Sequence, residues 1–160
     1  MAVDLIYRMD RTQKYDVPDA GFVLVDSLSR AIPRLPAMWR ERGIFGTAKL
    51  LVKVVLRRCL YFGLAPEGKV LSSGVMTFGR CRFYPVAADA IVIGEIATDA
   101  ANRGHGYATR AIMLAINSMI HNGPRAFYID TQRENVSMIR SIEKLGFGRA
   151  IGGDAAGLAP

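Results

Sequence analysis

Short apolar or alternating runs, separated by turn-forming residues, occupy the middle of the chain. The runs cover residues 60–64, 70–77, 81–86 and 91–97, and the breaks between them contain Pro66-Glu67-Gly68, Gly79 and Ala87-Ala88-Asp89. Runs of this length between such breaks are typical of consecutive antiparallel strands. We therefore predict a β-meander, preceded by shorter apolar stretches at residues 4–9 and 22–25.

Helical spacing follows the meander. One face of a predicted helix carries apolar residues at i, i+3, i+4, i+7 and i+11, namely Ala108, Ala111, Ile112, Ala115 and Met119. Asn122-Gly123-Pro124 ends this helix, and an apolar strand is predicted at residues 126–130. A last helix is predicted over residues 135–145, with Gly146 as its stop.

Two further helices are predicted before the meander. The first begins at Asp26 or Ser27, and two prolines near its middle must shorten it. Gly43 and Gly46 separate it from the second, over residues 47–58, whose β-branched residues leave a strand as the alternative.

The order of the elements predicts the fold class. A strand, a glycine loop, a helix and a second strand imply that the strand near residue 95 pairs in parallel with the strand near residue 128. The fold is therefore predicted to be α/β with a mixed sheet. No repeat or linker is visible, so we expect one domain over residues 1–151 and a small-residue tail at 152–160.

Composition suits one globular domain, since 51% of the 160 residues are apolar and 22% are charged. Disordered and collagen-like chains are excluded. Asp4 and Asp10 interrupt the start, and the most apolar run, residues 50–62, is charged and shorter than the ~20 residues that span a bilayer. With Cys59 and Cys81 too far apart for a disulfide framework, we expect no export signal, no transmembrane segment and a cytoplasmic location.

The net charge of +7 is concentrated in one stretch. Residues 30–58 contain eight basic residues and one acidic residue, and the other segments nearly cancel. This stretch is either a solvated basic helix face or a surface that attracts phosphates, acidic substrates or an anionic membrane surface.

The most informative motif is the glycine-rich turn at residues 103–109, which follows a strand and opens a helix. Such a turn points unpaired backbone N–H groups into one concavity, so it can hold a phosphate or pyrophosphate. Gly104 and Gly106 let a ligand approach the backbone, whereas His105 is expected to face solvent. Dinucleotide-binding, P-loop, zinc-ligand and nucleophile-elbow patterns all fail here, so no metal is expected.

Two motifs together resemble the GNAT superfamily of acyl-CoA-dependent N-acyltransferases. Arg103, Gly106 and Ala108 meet the signature Arg/Gln-x-x-Gly-x-Gly/Ala. Residues 135–147 are similar to the family's Asn-x-x-Ala-x-x-x-Tyr-Glu-Lys-x-Gly-Phe helix. Over residues 91–149 the resemblance rests on these two motifs. Over residues 1–90 it rests only on the order of elements, with helices before the meander.

The resemblance implies a mostly antiparallel sheet flanked by helices, with a V-shaped gap between two parallel strands. Acetyl-CoA or another acyl-CoA would be the co-substrate in that gap. The backbone at Ala97, Thr98 and Asp99 would pair with the pantetheine arm, and Asn135 would cap its helix and touch the same arm. The pyrophosphate would be held by Arg103, Gly104, His105, Gly106, Tyr107, Ala108 and Thr109.

Catalysis in such a site is direct attack of an amine on the thioester. Glu95 is the candidate base, acting through water, with an ordinary carboxylate on a polar strand face as the alternative. Ile142 stands where many relatives have a Tyr general acid, so the proton donor is unassigned. Tyr107 and Tyr128 are candidate substitutes, although both are expected to be core or edge aromatics, and Ser141 is merely adjacent.

The acceptor implied is a small molecule with a primary amine, such as an amino sugar or a nucleotide-linked amino sugar. The anionic charge of the nucleotide-linked sugar would suit the basic stretch. The alternative is a non-catalytic CoA-binding regulatory or scaffold module. A strand supplied by a partner would imply a homodimer. Nucleic-acid binding is disfavoured because aromatic residues are sparse in the basic stretch and no recognition motif is present. Trp39 and Phe45 are predicted to be core residues, with the mouth of the acceptor site as the alternative.

Overall fold

The computed structural model of the protein describes residues 5–11, 13–121, 123 and 125–151. Its strands are β1 (Leu5–Arg11), β2 (Phe22–Val25), β3 (Cys59–Leu64), β4 (Ser72–Phe78), β5 (Ile91–Thr98) and β6 (Arg125–Thr131). Its helices are α1 (Leu28–Ala31), α2 (Leu35–Val55), α3 (Tyr107–Ile120) and α4 (Val136–Lys144), with 3₁₀ turns at Ile32–Arg34 and Ala100–Asn102. The tail predicted at 152–160 lies outside the described residues.

The described strands form one six-stranded mixed sheet in the order β1-β6-β5-β4-β3-β2. Neighbouring strands are antiparallel except β5 and β6, which are parallel. A parallel pair needs a crossover, and α3 supplies it. The predicted mixed, mostly antiparallel sheet with one parallel pair is therefore confirmed.

Alternating residues of the strands divide the core between the two faces of the sheet. On one face, α3 and α4 pack against residues such as Phe62, Met76 and Ile93. On the other face, α2 packs against a smaller cluster that includes Tyr61 and Val75. The period of two along β3 and β4 thus buries both faces of the sheet.

The strand predicted at residues 81–86 is wrong. The chain between β4 and β5 is irregular, and a backbone hydrogen bond from Gly79 N to Ala90 O, 2.8 Å long, closes its base. Tyr84 is buried, and its ring packs beside that of Tyr128, with centroids 6.1 Å apart. The apolar residues of this segment therefore reflect packing against the sheet, and Pro85 has no N–H for a strand ladder.

The helix predicted over residues 47–58 is confirmed as the second part of α2, which ends at Val55, and the strand alternative is wrong. Gly43 kinks α2 with φ 69° and ψ 172°, a conformation that is essentially confined to glycine. Ser27 is the N-cap of α1, although its side chain makes no capping hydrogen bond. Trp39 and Phe45, predicted as core, are 47% and 85% exposed because α2 buries its opposite face.

None of the described helices is both long enough and apolar enough to cross a membrane.

We expect Gly43→Ala to lower the free energy of unfolding by about 1–3 kcal/mol, because an alanine is strained in this backbone conformation. Steric contact does not contribute, since no atom lies within 4 Å of the position of a Cβ at Gly43. Chemical denaturation followed by circular dichroism measures the change. Gly148→Ala is the control: it also has open space and no positive φ, and it should shift stability by less than about 0.5 kcal/mol. Equal losses in the two variants would contradict the prediction.

Candidate functional site

The parallel strands β5 and β6 diverge after three residue pairs. Their pairing runs from Ile91 opposite Phe127 to Ile93 opposite Ile129 and stops, although β5 continues to Thr98. A cavity of about 230 Å³ lies between the diverging ends, lined by residues 93–96 and 129–132 together with Asn135 and Met138. The predicted V-shaped gap is therefore confirmed.

A β-bulge bends β5 where the gap begins. Opposite β4, the register passes from Val75 with Gly94 to Ser73 with Ala97, so β5 has an extra residue. Glu95 within the bulge has φ 53°, which is uncommon for a residue with a side chain. The local strain points to a residue held by its surroundings at a functional position.

Glu95, the predicted base, lines the gap and is 56% exposed at its side chain. Arg42, at the end of the first part of α2, donates a short charge-assisted hydrogen bond to Glu95 Oε2. A second donation runs from Arg42 Nη2 to the Glu95 carbonyl oxygen at 3.4 Å. The structure thus places Glu95 at the gap with a fixed cation on one of its oxygens.

Arg42 is itself held by a small network, and only 12% of its side chain is exposed. Its Nη2 lies 3.2 Å from Glu41 Oε1, and the Tyr61 hydroxyl donates to Glu41 Oε2 at 3.2 Å. Burial and the negative charge of Glu41 raise the pKa of Tyr61, so this hydroxyl keeps its proton. In the sequence, Arg42 is one of the eight basic residues of segment 30–58. No local pattern indicates its contact with Glu95, because the two residues are 53 positions apart.

Asp130 is a second carboxylate at the gap, and sequence reasoning did not assign it to the site. It lines the same cavity as Glu95, and the Tyr84 hydroxyl donates to its Oδ2 at 2.9 Å. Burial raises the pKa of Asp130, and the hydrogen bond from Tyr84 opposes that rise. The only sequence signal for Asp130 is a carboxylate at the end of an apolar strand.

The glycine-rich turn forms an open concavity before α3. Gly104 and Gly106 have φ values of 82° and 77°, and no atom lies within 4 Å of a Cβ position on either. Gly106 is the N-cap of α3, and no side chain caps the helix. The first amides of α3 therefore point outward without a side-chain partner, an arrangement that attracts anions.

A larger cavity of about 780 Å³ joins this turn to the end of β5 and to α4. It brings together most of the residues predicted to bind the co-substrate, which are Ala97, Thr98, Arg103, Gly104, Gly106, Tyr107, Ala108, Thr109 and Asn135. Asn135 also caps α4, because its side chain accepts from Met138 N at 3.1 Å. Arg140 and Lys144 add positive charge to the lining, and the sequence analysis did not assign either of them.

Two predicted residues lie outside that cavity. His105 is exposed, as expected of a solvent-facing residue, and its ring is stacked on that of Tyr107 with centroids 5.9 Å apart. Asp99 lines a different cavity of about 450 Å³ below α2, together with Arg40 and Glu41. Hydrogen bonds from Lys69 and Asn102, 3.0 and 2.7 Å long, lower the pKa of Asp99.

Solved structures with similar folds share this arrangement of elements. A GNAT acetyltransferase from Colwellia psychrerythraea has a TM-score of 0.68 at 16% identity, covering 94% of this chain and 53% of that one. An acetyltransferase of the GNAT family from Novosphingobium aromaticivorans has a TM-score of 0.60 at 22% identity, covering 93% and 61%. Aminoglycoside N-acetyltransferase AAC(6')-Iy in complex with CoA has a TM-score of 0.61 at 14% identity, covering 82% and 93%. These likenesses show the fold, and this chain spans 53% and 61% of the first two proteins.

Comparison with curated protein sequences gives no significant match. A sequence model described as the Acetyltransferase (GNAT) family, however, matches residues 38–147. The match covers more than half of the 160 residues and contains both the glycine-rich turn and the helix that follows Asn135. The chain therefore belongs to the GNAT acetyltransferase family.

Proposed function

We propose that this protein is an N-acyltransferase that moves an acetyl or other acyl group from acyl-CoA to the primary amine of a small molecule. The observation that carries the proposal is the position of the uncapped glycine turn beside a gap that contains two carboxylates. Family membership supports it. The structural relative AAC(6')-Iy has been solved with CoA and with a bisubstrate analogue of CoA and acetylneamine.

The larger cavity fits a CoA diphosphate. The outward amides of residues 104–109 can donate to its oxygens, and the two glycines leave room for close approach. Arg103, Arg140 and Lys144 supply positive charge for the phosphates. Beyond Ile93 the edge of β5 toward β6 has no strand partner, so the backbone near Ala97 and Thr98 can pair with the pantetheine arm.

Bound acyl-CoA supplies an activated thioester. The acceptor amine must be neutral to attack, and most primary amines are protonated near neutral pH. Glu95 accepts that proton, directly or through a water, by Oε1, because the short bond from Arg42 occupies Oε2. The new C–N bond then forms as the C–S bond breaks, and the sulfur leaves as thiolate or takes the released proton.

A Tyr general acid is not needed in this scheme. Ile142, at the position where many relatives carry Tyr, is fully buried on the side of α4 that faces the core. A CoA thiol resembles a cysteine thiol, whose pKa is about 8.5, so thiolate is an acceptable leaving group. Tyr107, Tyr128 and Ser141 therefore receive no role in proton transfer.

We propose an acceptor that carries an amine and, at a distance from it, an anionic group. Asp130 and Glu95 suit the approaching ammonium, and Tyr84 orients the Asp130 carboxylate. Arg40 on the wall of the cavity below α2 suits a phosphate or carboxylate. A nucleotide-linked amino sugar has both groups, whereas a free amino sugar supplies only the amine.

A homodimer is a separate proposal. The sheet does not require a strand from a partner beside β6, because β1 already pairs with β6 from Leu5 opposite Thr131 to Arg11 opposite Arg125. A dimer would instead use an edge of the sheet or a helix face, and sedimentation velocity tests for it.

A non-catalytic CoA-binding module is the second candidate function. Two observations favour it. Ile142 has no proton to donate to the leaving thiolate, and the hydrogen bond from Arg42 occupies one carboxylate oxygen of the candidate base Glu95. Thiol release from acetyl-CoA across a panel of amines and amino-sugar nucleotides separates the two functions. CoA binding without turnover on any acceptor would favour the module.

Glu95→Gln should lower kcat/KM about 100-fold near neutral pH, because an amide cannot accept the amine proton. The rate of the variant should rise more steeply with pH, as the free amine becomes the main species. Thiol release measured against pH checks both effects, with Glu143→Gln as the control on the exposed side of α4. An unchanged pH–rate profile for Glu95→Gln would rule Glu95 out as the base.

Gly106→Val should abolish CoA binding, because its side chain fills the turn and strains the N-cap. Gly146→Val is a matched control, since Gly146 also has a positive φ, 83°, and open space but does not line the cavity. Arg140→Ala leaves the backbone intact and should weaken CoA binding about tenfold or more, as the loss of a charge-assisted hydrogen bond does. Isothermal titration with CoA measures all three. Similar affinities in the two valine variants and unchanged affinity in Arg140→Ala would contradict the placement.

Asp130 makes a pH-dependent contribution to stability. Because burial raises its pKa in the folded state above that in the unfolded chain, ionisation destabilises the fold as pH rises from the ordinary carboxyl range through the raised value. Asp130→Asn should therefore gain stability relative to the wild type between acidic and neutral pH. Tyr84→Phe should show the opposite trend, since it removes the hydrogen bond that favours the carboxylate. Urea denaturation at several pH values measures both, and a pH-independent difference for Asp130→Asn would contradict the account.

A further inference from the structure

Exposed apolar side chains are concentrated on α1 and α2. Of the eleven large hydrophobic residues that are most exposed in the described structure, eight lie between residues 28 and 56: Leu28, Ile32, Trp39, Ile44, Phe45, Val52, Val55 and Leu56. A concentration of this kind on a protein surface marks an interaction site.

Three of these residues lie on one side of the second part of α2. Leu50 and Val54 are buried against the sheet. At about 100° per residue, Phe45, Val52 and Leu56 fall on the opposite side of the helix. Their spacing of seven and four residues makes a continuous outward strip that the described residues leave uncovered.

Basic side chains border the strip. Lys49 and Lys53 lie along one edge of the strip, and Arg57 and Arg58 follow the C-terminal end of α2. All four are exposed, and none of them has an ion pair with a described carboxylate. Arg30 and Arg42, by contrast, are paired with Asp26 and Glu95.

We infer that this outer face of the second part of α2 binds the surface of an anionic phospholipid bilayer. An apolar strip flanked by unpaired cations matches a surface that has acyl chains beneath negatively charged headgroups. Phe45, Val52 and Leu56 enter the interface while Lys49 and Lys53 contact the headgroups.

Two other partners fit the same face less well. A second copy would place one strongly basic face against another, and like charges oppose that contact. A nucleic acid would engage the cations but leave Val52 and Leu56 in water. The inference does not depend on the proposed acyl transfer, since these residues lie outside the three cavities of the candidate site.

Vesicle flotation tests the inference on the whole chain. Vesicles of phosphatidylcholine with about one third phosphatidylglycerol should float the protein, whereas pure phosphatidylcholine should not, and added salt should weaken binding.

Paired variants separate the two parts of the surface. Phe45→Ser with Val52→Ser, and Lys49→Gln with Lys53→Gln, should each weaken vesicle binding about tenfold or more. Arg82→Gln with Phe83→Ser is the matched control, because it removes an exposed cation and an exposed aromatic ring from another surface. The control should bind vesicles like the wild type.

Several results would overturn the inference. These are no flotation with anionic vesicles, equal loss in the control variant, or binding that the lysine variants leave unchanged. Sedimentation showing a dimer that Phe45→Ser with Val52→Ser dissociates, without vesicle binding, would assign the face to a second copy. Retention on duplex DNA without vesicle binding would assign it to nucleic acid.

Discussion

The end of the parallel pairing between β5 and β6 is the constraint on which the rest of the site depends. Once Ile93 and Ile129 have paired, the strands separate, and backbone groups that would continue a ladder are left facing a gap. The bulge at Glu95 occurs where this separation begins and keeps β5 paired with β4 on its other edge. The same divergence brings the glycine turn, which follows β5, beside the gap, so the proposed anion binding and the proposed acyl transfer both depend on one break in the sheet.

Charge is divided between the inside and the outside of α2. Its basic residues look alike in the sequence, yet Arg42 turns inward to two carboxylates while Lys49 and Lys53 face outward beside exposed apolar residues. The kink at Gly43 lies between Arg42, which contacts carboxylates, and the two exposed lysines farther along the helix. Arg42 positions Glu95 for the proposed reaction. The exposed lysines belong to the surface for which we infer membrane binding.

Local patterns predicted much of the fold and part of the site. The stripe on α3, the glycine turn and the Asn135 cap depend on neighbouring residues, and the parallel pair follows from the strand–helix–strand order, in which the helix is the crossover that parallel strands need. The contacts of Arg42 with Glu95 and of Tyr84 with Asp130 span 53 and 46 positions, so no local pattern could reveal them. Two predictions from apolar residues were wrong, the strand at 81–86 and the burial of Phe45. An apolar residue can lie in a strand, pack in an irregular segment or face solvent, and its type alone does not distinguish these positions.

The most direct test of the account follows backbone amide protons by NMR while CoA is added to the whole chain. The account predicts that the amides of Gly104, Gly106 and the first turn of α3 shift most, and shift downfield as they donate to the diphosphate. Residues at the diverging ends of β5 and β6 should shift next, as the pantetheine arm enters the gap. Unchanged amides in the glycine turn, with the largest shifts elsewhere in the chain, would contradict it.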